Sequence, residues 1–333
     1  MNANFYPPYQ PQAPLPLEKT PQYRKKERFN LGRIGLMLLA YMVVVDVVQS
    51  AIMIVTARIA PSLLANQLFL QVASAIPAYG LGLPLAYCML IGMPKKKPER
   101  QKLGAGGWFS FLALCFFGMY SGNLIGNGLM AIIELIRGTS ITNAVGQAIT
   151  NTSPIYTLIF TVIITPIAEE LLCRKLIIDR VLPYSEKLAV LVSGVFFALL
   201  HRNFYQFFYA LLVGLIFSYF YVKTGKILHT ILMHMLMNFT GSLVVIFIGR
   251  ELQERDMGTL LWLFVSNFYS IALLALAVCG CILFFLRLKR NGLSPNGDRH
   301  LSFGSQNALL WSSVGTILFL VYCGLYFVLN LFI

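Results

Sequence analysis

The sequence predicts an all-α polytopic membrane protein, and three observations carry that expectation. Hydrophobic residues make up 57% of the 333-residue chain, charged residues only 12%, and the mean hydropathy is +0.71. A soluble enzyme carries about a quarter charged residues, so that class is excluded. Nine apolar segments approach or exceed the roughly 20 residues that a spanning helix needs, near 34–57, 68–93, 107–136, 154–180, 188–201, 203–222, 227–249, 258–286 and 308–333. The 26 basic residues fall mostly in alternate loops, as the positive-inside rule requires.

Before the first span, residues 1–33 open on Tyr6-Pro7-Pro8-Tyr9-Gln10-Pro11 and then carry Arg24, Lys25, Lys26 and Arg28. This composition predicts a disordered polyproline-like tail followed by a topogenic basic patch. Spans over 34–153 follow. The fifth segment, over 188–201, is short for a crossing, so it is tilted, re-entrant or sheltered by its neighbours. The tail holds six basic residues, loop 94–106 five, stretch 174–187 four, loop 223–226 two and loop 287–307 four. Only Arg58, Arg137, Arg202, Arg250 and Arg255 lie on the other side. The N-terminus is therefore expected in the cytoplasm and, after nine spans, the C-terminus outside. The net charge of +13 belongs to these loops and calls for no nucleic acid; membrane lipid is the surrounding partner. Trp108, Trp262 and Trp311 each fall near a span start, as interfacial anchors should. All six cysteines lie in apolar runs and read as small buried hydrophobes. The polar loop 287–307 sets the last span apart as an appendage, so the chain divides into 1–33, 34–153, a four-helix core over 154–249, and 250–333.

Ionisable side chains inside apolar spans are expensive, and each is a functional candidate to be weighed against a structural pairing. Asp46 and Glu134 stand alone and read as structural; Asp179, beside Arg180 at a helix end, reads as solvated. The fourth span differs. It reads Thr165-Pro166-Ile167-Ala168-Glu169-Glu170-Leu171-Leu172-Cys173-Arg174. Glu170 and Arg174 are four apart and share a face. Glu169 is rotated about 100° from its neighbour and is free to face a cavity. His201 ends Phe197-Ala198-Leu199-Leu200-His201, and His234 and Asn238 share a face of the seventh segment. Together these supply a general base, a water-orienting group and hydrogen-bond donors, the parts needed to hydrolyse an amide. At ~1.5 Å per residue, Glu169 and His234 lie roughly 16 and 12 Å from their basic helix ends, which agree. His201 lies roughly 21 Å from Lys187, so its helix must tilt or start below the surface.

With these motifs over about 150–245, the chain resembles the CAAX protease and bacteriocin-processing (CPBP), or abortive-infection, family of intramembrane endopeptidases, which includes the Ras-converting prenyl-protein endopeptidases. The resemblance rests on Glu-Glu-x-x-x-Arg at Glu169, Glu170 and Arg174, Phe-x-x-x-His at Phe197 and His201, and His-x-x-x-Asn at His234 and Asn238. Gly214-Leu215-Ile216 and Lys223-Thr224-Gly225 also look like the family's later helices; Cys173 and Lys175 depart from its common Phe and Gly. The resemblance implies that Glu169 activates water with help from His201. His234 and Asn238 would stabilise the oxyanion, with Glu170, Arg174 and Phe197 in support. No cofactor is favoured, although Glu169, His201 and His234 also make a plausible zinc set. The substrate would be a membrane-associated peptide or protein, prenylated or of leader type, and the location a bacterial cell membrane. A silent scaffold or immunity protein, and a proton-coupled transporter using Glu169, are the alternative readings.

Overall fold

The computed structural model describes residues 20–99, 102–247, 259–287 and 292–332, and among these every regular element is helical. In chain order the helices are α1 (Pro21–Ile59), α2 (Gln67–Met89), α3 (Ala105–Arg137), α4 (Ala144–Asn151) and α5 (Pro154–Val181). They continue with α6 (Glu186–Leu200), α7 (Phe204–Thr224), α8 (Ile227–Phe247), α9 (Thr259–Arg287), α10 (Phe303–Trp311) and α11 (Val314–Leu329). Seven are long and apolar enough to cross a membrane, or eight if the bent pair α10 and α11 counts as one span.

This agrees approximately with the nine expected, and the segment left out of the count is short for a local reason. The fifth predicted segment is α6, a 15-residue helix. At ~1.5 Å per residue it covers roughly 22 Å, short of a hydrocarbon core of about 30 Å. Leu188, Ala189, Val192 and Phe196 within it are fully buried by neighbouring helices. A turn of three residues leads into α7, and Arg202 at its centre has φ +55°, a conformation that favours glycine. Arg202 is held there by an ion pair with Asp46 at 2.5 Å and by stacking on the Tyr326 ring at 4.3 Å. Asn203 caps α7 by accepting from the Gln206 N–H.

Several other expectations are corrected. Helix begins at Pro21, inside the stretch read as tail, and residues 1–19 lie outside the described residues. Glu27 in that first part is buried, accepting from Tyr184 Oη at 2.5 Å and pairing with Arg299 at 3.5 Å. Burial, reinforced by Glu27, pushes the Tyr184 phenol upward, so it stays a donor. The last span is no appendage, because α11 packs directly on α1. Gly35 faces Thr316 so closely that an added Cβ would lie 2.5 Å from its backbone, and one on Gly315 would lie 2.1 Å from the Gly32 carbonyl. In lipid, where apolar surface alone gives little drive to associate, such small residues let backbones approach. Tyr322 and Tyr326 of α11 both donate to Asp46, which therefore does not stand alone. Nor does Glu134, which accepts from the Ile141 N–H at 2.9 Å and Tyr205 Oη at 3.2 Å.

Asp179 is buried rather than solvated, paired with Lys175 at 2.6 Å and accepting from Tyr221 Oη at 2.9 Å. Lys175 therefore serves Asp179 and not Glu170. Of the cysteines, Cys115, Cys173 and Cys323 are buried, whereas Cys88 and Cys279 sit on outer helix faces. Trp108 and Trp262 do start α3 and α9, but Trp311 lies at the 61° elbow between α10 and α11. There its ring meets Phe196 edge-on at 5.9 Å.

Substituting Gly35→Leu should force α1 and α11 apart and cost about 1–3 kcal/mol by overpacking. Thermal unfolding in detergent would show it, with Gly324→Leu as control, since a Cβ at Gly324 meets no atom within 4 Å.

Candidate active site

The helix α5 is irregular around Glu169 and Glu170. A short α-helical turn, Thr165–Glu170, sits between two wider π-helical stretches, Thr157–Ile164 and Leu171–Ile178. Within the first stretch the Thr165 N–H bonds five residues back, to the Phe160 carbonyl. In that register the Thr161 carbonyl would accept from residue 166, which is proline and has no N–H. The orphan is satisfied from another helix: Asn238 Nδ2 donates to Thr161 O at 2.9 Å. One of the two amide protons of Asn238 thus ties α8 to α5, and the second is left over.

The adjacent carboxylates of α5 take opposite environments. Glu170 is fully buried, with Oε1 at 3.1 Å from His234 Nδ1 and Oε2 at 3.1 Å from Arg174 Nε. Neither atom of the second contact is aligned for a hydrogen bond, so that pair attracts as charge on charge. Arg174, also fully buried, donates from Nη2 to the Gly214 carbonyl at 3.3 Å. Its guanidinium lies over the Phe197 ring at 4.7 Å and the Phe217 ring at 5.4 Å. These faces partly replace the partner that Nη1 lacks. Glu169 instead is 28% exposed, and its Oε2 lies 3.6 Å from His234 Nε2, beyond a direct hydrogen bond.

His201 closes the C-terminal end of α6, where its Nδ1 meets the Phe197 carbonyl at 2.8 Å. A carbonyl only accepts, so Nδ1 carries the proton and Nε2 keeps its lone pair. Phe197 is the piece that joins these groups. Its ring touches those of His201 at 5.0 Å and His234 at 5.7 Å while its face receives Arg174. Glu169, Phe197, His201, His234 and Asn238 line one cavity of about 720 Å³, and Glu170 and Arg174 lie behind its wall. The size suits a small-molecule or peptide site.

Gln206, Tyr209 and Thr165 are among the wall residues not singled out from sequence. Tyr209 presents its ring to His201 at 6.4 Å and accepts from Gln206 Nε2 at 2.7 Å. Thr165 shares a 2.6 Å hydrogen bond with Tyr79 of α2. The signal for the first two was the i, i+3 spacing of Gln206 and Tyr209 at the start of an otherwise apolar span; Thr165 carried none. Among the described residues, no three His, Cys, Asp or Glu side chains are grouped to hold a metal ion.

Residues 151–240 match the family model of type II CAAX prenyl endopeptidases described as Rce1-like. The matched segment is less than half of the chain. It contains every site residue discussed above, from Glu169 to Asn238. No curated protein and no solved structure matches the chain. The match likens this segment to CAAX-type intramembrane endopeptidases, and the long apolar helices make the chain a multi-pass membrane protein.

Replacing Glu170 by Gln should leave Arg174 buried without its counter-charge and destabilise the protein by about 3–5 kcal/mol. Thermal unfolding of the purified variant in detergent measures this, and an unchanged midpoint would show the pair to be energetically idle.

Proposed function

We propose that the chain is a metal-free intramembrane endopeptidase in which Glu169 is the general base. One observation carries this reading: of two adjacent carboxylates, only Glu169 faces the cavity, with His201 and His234 on the same walls. Glu170 is consumed by Arg174 and His234. The roles follow from which lone pairs and protons remain. Glu169 takes a proton from water, while the free Nε2 of His201 accepts the water's other proton in a hydrogen bond and orients it. The hydroxide attacks the peptide carbonyl. The oxyanion is met by the spare amide proton of Asn238 and by the His234 ring, whose Nδ1 faces Glu170. Collapse of the tetrahedral intermediate releases the amine, which takes the proton from Glu169. Phe197 and Arg174 position the two imidazoles and Glu170.

The family description names CAAX prenyl proteins as substrates. For this chain we take the substrate to be a membrane-anchored polypeptide, with prenylation one case of such anchoring. The lining carries carboxamides and hydroxyls beside the catalytic groups, a surface that suits peptide amides.

Glu169→Gln should abolish cleavage in a detergent assay with a quenched fluorogenic peptide library while leaving the thermal midpoint unchanged, because the amide is isosteric but cannot accept the proton. Equal activity in Glu169→Gln and the wild type would refute the assignment.

Asn238→Ala separates two roles. Loss of the oxyanion donor should lower kcat by about 10²–10³ with little change in KM. Loss of the bond to Thr161 should cost a further 1–3 kcal/mol of stability, roughly the price of one buried unsatisfied carbonyl. Thorough chelation should leave the wild type active; loss of activity restored by zinc would overturn the metal-free mechanism.

A further inference from the structure

The cavity lies wholly at one end of the helices. On α5 its lining runs Glu169, Thr165, Thr161, Thr157, one turn after another toward Pro154, with no member toward Val181. The same holds elsewhere: Tyr205 to Val213 lie in the first half of α7, and His234 to Ser242 in the later part of α8. The rim is formed by α4 and the residues just before it, from Asn143 to Ala148. In the other direction the passage is closed, because Glu170, Cys173, Arg174 and Phe217 are all 0% exposed.

The sealed end is the basic end. Its loops are fastened to one another: Lys96 Nζ pairs with Asp298 at 2.9 Å, Lys223 with Glu186 at 2.7 Å, and the Lys187 N–H bonds the Ser294 carbonyl. Lys95, Lys97 and Lys226 lie in the same loops. Among the described residues the cavity end has Arg58, Arg137 and Arg202, the last neutralised by Asp46. Loops rich in Lys and Arg face the cytoplasm.

Resting on the peptidase reading above, we propose that the site opens on the extracytoplasmic face and cleaves polypeptide segments presented there after translocation, entering in extended form. Apart from Glu169 and the two imidazoles the lining bears no acidic or basic side chain, and Gln71, Asn123, Asn127 and Asn143 carry carboxamides that suit a peptide backbone. Charged lipid headgroups would find no counter-charge on these walls. From Thr157 to Glu169 the cavity wall runs roughly 18 Å at ~1.5 Å per residue. At ~3.3 Å per extended residue this holds about five, so the scissile bond lies about five residues inward from the point of entry.

Two measurements on the full chain expressed in bacterial cells test this. A membrane-impermeant maleimide is applied to Ala144→Cys, at the exposed rim, and to Lys97→Cys, in an exposed basic loop, with the unsubstituted chain as background. Labelling of Ala144→Cys in intact cells, and of Lys97→Cys only after permeabilisation, is expected; the reverse pattern overturns the proposal. Second, a quenched fluorogenic library of neutral decapeptides, too polar to cross a bilayer, is given to intact cells bearing the wild type or Glu169→Gln. Cleavage that depends on Glu169 should be as large in intact cells as after permeabilisation. Cleavage seen only after permeabilisation overturns the proposed access. If no Glu169-dependent cleavage occurs even in detergent, the peptidase reading and the substrate class fail together, while the labelling still decides which face the cavity serves.

Discussion

The architecture of the site depends on one buried ion pair. Glu170 and Arg174 are both removed from solvent in the middle of a helix, where neither charge would be tolerated alone. Their partners arrive from three other helices: Phe197 from α6, Gly214 and Phe217 from α7, and His234 from α8. Each is fixed by what the pair requires. Arg174 demands a carbonyl and two aromatic faces; Glu170 demands a donor for its second oxygen. Meeting these demands brings His201 and His234 to either side of Phe197. The charges that contact no substrate therefore set the positions of the groups that would.

A second constraint shapes the helix on either side of the carboxylates. Proline at 166 cannot donate, and the backbone before it runs in a π register that leaves the Thr161 carbonyl without an intrahelical partner. Asn238 supplies the missing donor from α8. A π-helical stretch in α8 itself, Phe239–Leu243, follows immediately. Two irregular helices thus hold each other at the level of the cavity, and a side chain suited to oxyanion stabilisation is positioned by a structural bond. Its two amide protons allow both uses, which is why Asn238 cannot be assigned to structure or to chemistry alone.

Much of this was legible in the sequence because intramembrane charge is rare. Four-residue spacing placed Glu170 with Arg174, and the turn of 100° separated Glu169 from them; both relations hold in the structure. Contacts between distant segments were not legible. Nothing in Asp46 announces Arg202, Tyr322 and Tyr326, and Asp179 beside Arg180 looked solvated because its partners Lys175 and Tyr221 reach it only after α5 and α7 pack. The last span looked detached because a polar loop precedes it, whereas Gly32, Gly35 and Gly315 record a close crossing that single-sequence periodicity does not reveal. Length misled as well. A 15-residue helix, too short to span on its own, is sufficient when neighbouring helices bury most of it.

Hydrolysis inside a bilayer must also solve the supply of water. The polar groups of this chain are sorted by depth in a way that addresses it. On one side of Glu169 the Glu170–Arg174 pair is packed dry among Phe197, Phe217 and Cys173. On the other side the walls turn to threonine, asparagine and glutamine, which hydrate readily without adding charge. Charged walls would have wetted the cavity too, but each would also have shifted the field at Glu169 in a low-dielectric site. Neutral polar walls admit water and peptide while leaving the carboxylate to respond to the two histidines beside it. The division between a dry, charge-balanced floor and a wet, neutral vestibule follows directly from which face of α5 each carboxylate occupies.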